Sequence, residues 1–236
     1  MIAHARAFVR PGVLAEVASR PPLTLRQVRA RPGTVGLCLV GSAAGPLAGD
    51  DLRLSLDVAA GARAELVAAG ASIAQGGASR MAVDVRVGAG GRLDADPGAL
   101  VVSAGARVDL DVSVALAPTA VLTWRELVVL GRTGETAGQA VLAWNVTRGG
   151  APLLRQHVDL ADPGLTGWYG MTAGCRVLLT ELRIGPAVDA RTVVHTDTAV
   201  TQRLGEGAAL TTVLAPSAAA AHGVLGRVSP RDSRPF

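Results

Sequence analysis

Three stretches of this chain repeat one pattern. Residues 47–66, LAGDDLRLSLDVAAGARAEL, set Leu52, Leu54, Leu56 and Val58 against Arg53, Ser55 and Asp57, turn at Gly61-Ala62, and start a new alternation at Ala64-Glu65-Leu66. Alternation with period two is a pleated strand with one buried face. Residues 82–93 and 110–122 repeat it, and the Asp-Val steps at Asp57, Asp84 and Asp111 lie 27 residues apart (84 − 57 and 111 − 84). A period of roughly 20 to 50 residues marks stacked units, none of which covers its own apolar face alone. The expected fold is mostly β: a single elongated β-superhelical domain of stacked sheets, with internal repeats of about 27 residues and one or two short helices.

All-β architectures often run to roughly 200–250 residues as one unit. The 236 residues are therefore read as one β-rich scaffold domain, residues 1–228, with a flexible C-terminal tail at 229–236. A hydrophobic content of 49% with 18% charged residues argues against disorder, and 3% aromatics leave Ala, Gly and Val to build a core between closely spaced sheets. All 23 basic residues are arginine. A phosphate-binding loop of the G-x-x-x-x-G-K-[ST] kind and a Schiff-base lysine are thereby excluded. The net charge of +4 comes from scattered arginines with few aromatics among them, which points to an acidic protein partner and not to nucleic acid. Cys38 and Cys175 form no C-x-x-C pair and are expected as buried small hydrophobes in a reducing cytoplasm. The first residues lack the apolar core of a secretory signal, and the uncharged run 207–226 holds Pro216 and His222 and is poor in Leu and Val, so no membrane span is expected.

Residues 1–31 are expected as two short strands with turns at Pro11-Gly12 and Pro21-Pro22. Gly41, Gly45 and Gly49 lack dinucleotide-binding spacing, and Gly70-Ala71-Ser72-Ile73-Ala74 falls one residue short of a nucleophile elbow, so Ser72 is read as structural. The most apolar strand, residues 121–132, is interrupted by Glu126, which either lies on a solvated face or is buried with an arginine partner. A strand pair follows around Arg148-Gly149-Gly150, with His157 in its second strand; residues 162–170 read as a loop carrying Trp168-Tyr169. Strand signals resume at 176–184 and 191–195, and a helix is expected over 218–221, opened by Pro216-Ser217 and ended near Gly223. The four histidines are far apart and match no zinc pattern. Asp50, Asp51, Asp94, Asp96 and Glu126 could pair across repeats, but spacing does not show that they meet. With no catalytic constellation, a binding or scaffold protein outranks an enzyme.

One combination of segments carries a resemblance. Gly45-Pro46-Leu47-Ala48-Gly49-Asp50-Asp51-Leu52-Arg53-Leu54, with Val58-Ala59-Ala60-Gly61-Ala62-Arg63 behind it, resembles the G-G-D-x-L-x-L-x-V-x-x-G-A-x segment of the UreD/UreH family of urease accessory proteins. Trp124-Arg125-Glu126, followed by Leu127 to Leu130 and Gly131-Arg132, is similar to that family's W-x-E, apolar run and L-G-R, and Arg148-Gly149-Gly150 to its late-strand turn. The resemblance implies a mostly β superhelical scaffold that binds the urease apoprotein and the helical accessory protein UreF, with the GTPase UreG joining through that complex. It also implies nickel passing toward the urease active site and an internal tunnel with polar lining.

Under that reading the chain is not an enzyme and holds no cofactor tightly. Nickel is bound transiently, because oxygen ligands with at most an imidazole release it where a tight site would not. Asp50 and Glu126 are the candidates for the polar lining, with His157 third; Asp50 has an equal alternative as a turn-closing residue. Nucleotide hydrolysis falls to a partner, and the location is cytoplasmic. The alternative is a non-catalytic β-solenoid-like structural or carbohydrate-associated protein. A hydrolase would need two carboxyls about 5–10 Å apart in a cleft.

Overall fold

The alternating segments wind back and forth between two sheets. In the computed structural model, which describes residues 1–166, 168–188 and 191–229, the first coil holds β1 (Ile2–Arg10), β2 (Val13–Ala18), β3 (Leu23–Val28) and β4 (Val35–Gly41). The next coils are β5 (Asp51–Val58), β6 (Arg63–Ala68) and β7 (Ser72–Ala74), then β8 (Ala78–Val87), β9 (Arg92–Ala95) and β10 (Ala99–Val102), then β11 (Arg107–Leu116) and β12 (Val121–Leu130). The chain closes with β13 (Gln139–Arg148), β14 (Ala151–Asp159), α1 (Pro163–Thr166), α2 (Tyr169–Thr172), β15 (Val177–Ile184), β16 (Val193–Thr196), β17 (Ala199–Gly205), β18 (Ala208–Ala215) and α3 (Ala218–Val228).

One sheet has seven strands in the order β14-β13-β11-β8-β5-β1-β2, and the other has eleven, with β16-β17-β18-β15-β12-β9-β6-β4-β3 as its main path. Within the coils neighbouring strands are parallel, while the hairpins β1–β2, β3–β4 and β13–β14 and the β15–β18 region are antiparallel. The result is a β-solenoid of about four turns. Antiparallel strands finish each end, where parallel coils would otherwise expose open edges.

Val35, Ala64, Leu93 and Leu122 stand side by side on four successive strands, so each coil advances 29 residues (64 − 35, 93 − 64 and 122 − 93). The Asp-Val steps recur at 27 because each slips by one dipeptide: Asp57 stands beside Arg86, and Asp84 beside Ser55. A slip of two preserves the face, so these aspartates all remain on the outer side. Inside, like residues stack in rows such as Ala7, Leu56, Val85, Val114 and Val146. Most of the core is built from Ala, Val and Leu in this way, with Trp124 and Trp144 as its aromatic members. Gly61 and Gly90 turn successive coils with φ of 68° and 66°, a backbone that only glycine adopts without strain.

Residues 1–31 hold three strands where two were expected, because the chain between Pro11-Gly12 and Pro21-Pro22 pairs with β1 as β2. The 162–170 segment contains α1 and the start of α2, each four residues long and so too short to show a helical period. Helix α3 starts at the expected cap, with Ser217 Oγ accepting from the Ala220 N–H, but runs 11 residues, through Gly223 and Gly226. Packing overrides the two glycines: Ala221 and Leu225 bury against Leu127, Leu179 and Val213 on the outer face of the larger sheet. Ser229, assigned to the tail from sequence, is buried and hydrogen-bonded; residues 230–236 lie outside the described residues. Cys38 and Cys175 are free thiols, half-buried where full burial was expected.

Candidate functional site

Strand β12 turns Leu122, Trp124, Glu126, Val128 and Leu130 into the sandwich. It is also the strand beside which a neighbouring coil breaks. β9 pairs with Val121–Trp124 and β10 with Leu127–Leu130, so Arg125 and Glu126 stand opposite the interruption at residues 96–98. Gly98 fits that interruption because a Cβ there would come within 2.7 Å of the Ala68 Cβ.

Glu126 is 7% exposed, and its Oε2 accepts a 3.0 Å hydrogen bond from Nε1 of Trp144, which reaches across from the opposite sheet. Burial pushes the Glu126 carboxyl up to about 7, with the indole bond working in the opposite direction. Near neutral pH it therefore exchanges between acid and carboxylate. Thr180 lies directly beside it on β15, and Thr212 beside Thr180 on β18, giving a row of oxygen-bearing side chains from a buried carboxyl to a half-buried hydroxyl.

This row borders a cavity of about 210 Å³ between the two sheets at the β13–β15 end of the solenoid. Leu142, Val158, Leu160, Met171 and Leu214 supply apolar wall, and Gln156, Cys175 and Arg176 add polar groups. Burial pushes the Cys175 thiol up, so it remains protonated at neutral pH and a weak ligand. The Arg176 guanidinium is engaged elsewhere, donating to the carbonyls of Leu130 (2.9 Å) and Glu135 (2.6 Å). A second cavity, of about 60 Å³, lies deeper in the sandwich and also touches Glu126.

The other two sequence candidates lie elsewhere. Asp50, 6% exposed, precedes β5; its Oδ1 accepts from the Met1 ammonium at 2.6 Å and its Oδ2 from the Leu47 N–H at 2.8 Å. Burial opposes the Asp50 charge, but the ammonium and the Leu47 N–H prevail and hold its carboxyl below the usual range. Those contacts match the turn-closing alternative. His157 is exposed on β14, on the face opposite Gln156 and Val158, and borders neither cavity. Among the described residues no three His, Cys, Asp or Glu side chains group as a metal site.

Sequence reasoning missed the charged cluster on the outer face of β12. Arg125 donates from Nε and Nη2 to Oε2 of Glu181 at 2.8 and 2.5 Å, Ser229 Oγ bonds Oε1 of Glu181, and Asp96 lies 3.8 Å from Arg125. An arginine partner was considered for Glu126; the arginine belongs to Glu181 and the partner of Glu126 is an indole. The available signal was a second carboxylate inside an apolar strand, Thr180-Glu181-Leu182.

A family model described as UreD urease accessory protein matches residues 4–234. The chain is 36% identical over 177 residues to urease accessory protein UreD 1 of Saccharopolyspora erythraea, covering 72% of this chain and 69% of the relative. It is 34% identical over 206 residues to urease accessory protein UreD of Streptomyces avermitilis, covering 84% and 82%. A further relative, urease accessory protein UreD 2 of Saccharopolyspora erythraea, is 32% identical over 235 residues, covering 91% and 83%.

Proposed function

The chain belongs to the UreD family of urease accessory proteins, and from that premise we propose that it is a non-catalytic scaffold assisting nickel delivery to urease. Membership across residues 4–234 carries the reading, because the match spans the whole solenoid and not one motif. In this reading the scaffold binds the urease apoprotein and UreF, and UreG joins through that complex. Nucleotide hydrolysis falls to UreG, since this chain has no lysine for a phosphate-binding loop. No helix among the described residues is long and apolar enough to cross a membrane, and the proposed setting is the cytoplasm.

Nickel is cargo here. The larger cavity supports the transient hold that delivery needs: one carboxyl, three hydroxyls and an amide are oxygen donors, and the nearby thiol is protonated. Oxygen donors bind nickel more weakly than thiolate or imidazole sets, so a hydrated ion that meets Glu126, Thr180 and Thr212 can leave again. Glu126 is the residue we assign to this path. Asp50 is engaged in its turn, and His157 on the outer face is available to a partner surface.

The test is urease co-expressed with its other accessory proteins, with this chain present, absent, or carrying Glu126→Gln. Nickel content and activity are expected to rise only with the chain present and to fall with the variant, whose uncharged amide retains the shape. Nickel loading that is independent of the chain overturns the reading.

A further inference from the structure

Glu126 borders both cavities, and Trp124, which also lines the deeper one, carries an indole donor without a partner among the described residues. Trp124 is 1% exposed, and its Nε1 makes no hydrogen bond among the described residues. It lies two residues from Glu126 on the same inward face of β12, and both side chains line the deeper cavity. Oε2 of Glu126 is taken by Trp144, while no hydrogen bond is found to Oε1 among the described residues. Leu54, Leu100 and Val112 are among the apolar wall, and the half-buried Ser72 is the other polar side chain there. A buried N–H left dry is destabilising, whereas a cavity of about 60 Å³ with Ser72, Trp124 and Glu126 in its lining has room for water.

We propose that the deeper cavity is a binding site for a small neutral hydrogen-bonding ligand, water in the free protein, held between Nε1 of Trp124 and Oε1 of Glu126. The bound molecule accepts from the indole and bonds the carboxyl, so Glu126 is fixed by Trp144 from one side and through the ligand by Trp124 from the other. A bare divalent cation does not suit this donor set. The indole presents the positive end of its N–H, one carboxyl and one hydroxyl are the oxygen donors, and hydrocarbon fills the rest, whereas such ions take about six polar ligands. The site thus differs from the larger cavity, where Thr180, Thr212 and Gln156 add oxygen donors to the same carboxyl.

Crystals of the full chain, diffracting well enough to show ordered water, decide this. Density within hydrogen-bonding distance of Trp124 Nε1 is expected in the wild type and is expected to be lost in Trp124→Phe, which removes the donor and retains an aromatic ring. Should that variant not fold, magnetisation transfer from bound water to the Trp124 indole proton in the wild-type protein gives the same answer. A dry cavity, or anomalous scattering from soaked nickel inside it, overturns the proposal. No urease is involved, so failure here leaves the nickel-delivery reading standing, and failure of that reading leaves this site standing.

Discussion

The smaller sheet and the part of the larger sheet that α3 covers treat the same residue types in opposite ways. On the outer face of the smaller sheet, Arg53 meets Asp84 at 3.5 Å, Arg80 meets Asp111 at 3.0 Å and Arg86 meets Asp57 at 3.6 Å, all with side chains 39–71% exposed. On the outer face of the larger sheet, Arg125 and Glu181 form a pair with side chains 7% and 1% exposed. Cover makes the difference: α3 lies over the larger sheet and brings Ser229 onto Glu181. Water screens the first set, and each such pair contributes about 0–1 kcal/mol. In the second, both ions have lost their hydration, so the pair holds only while every partner is in place. Charge chemistry alone therefore does not rank these interactions; burial does.

The largest effect is expected from removing one buried partner. Glu181→Ala leaves the Arg125 guanidinium desolvated and should lower unfolding stability by about 3–5 kcal/mol in chemical denaturation. Replacing both ions, Arg125→Met with Glu181→Leu, should recover most of that loss, because the pair's own desolvation penalty disappears with it. A double variant as unstable as Glu181→Ala would show that the network orders the β12–β15 face in some way beyond balancing charge.

Glu126, on the inner face of the same strand, should give the next largest effect, through pH. Its ordinary value is 4.5 and the folded chain pushes it up to about 7, so folding favours the protonated form. That contribution is whole below about 4.5 and is lost as pH rises through about 7, an amount of about 3 kcal/mol. Glu126→Gln, which cannot ionise, should flatten the stability profile over this interval and be more stable than the wild type above it. Parallel profiles for the two proteins would mean that Glu126 ionises in the fold as readily as in water.

The same contrast decides what was legible in the sequence. Coils were readable because each strand signals its own face locally: Leu52, Leu54 and Leu56 inward, Arg53 and Ser55 outward. The apparent period of 27 came from a mark that slips by two residues per coil, whereas the packing period of 29 is fixed by register between strands. Arg125 and Glu181 lie 56 residues apart, and only the β12–β15 register brings them together. Glu126 stood out as a carboxylate in an apolar strand, but its partner, Trp144, comes from the facing sheet, and no local pattern announces a contact between layers. Asp50 was readable as a turn residue from the Gly-Asp step alone, though the ammonium that holds it lies 49 residues away.

The smallest effect should come from the exposed ladder, and it sharpens the contrast most directly. Asp84→Ala removes the partner of Arg53 but leaves that guanidinium half in water, so no buried charge is stranded. The expected loss is below about 1 kcal/mol and should shrink as salt is raised, because screening already weakens the pair. Glu181→Ala measured over the same salt series should hold its deficit, since ions in bulk solvent do not reach a guanidinium under α3. If the two deficits fell together, the cover over the larger sheet would be open to solvent, and burial would no longer separate the two faces.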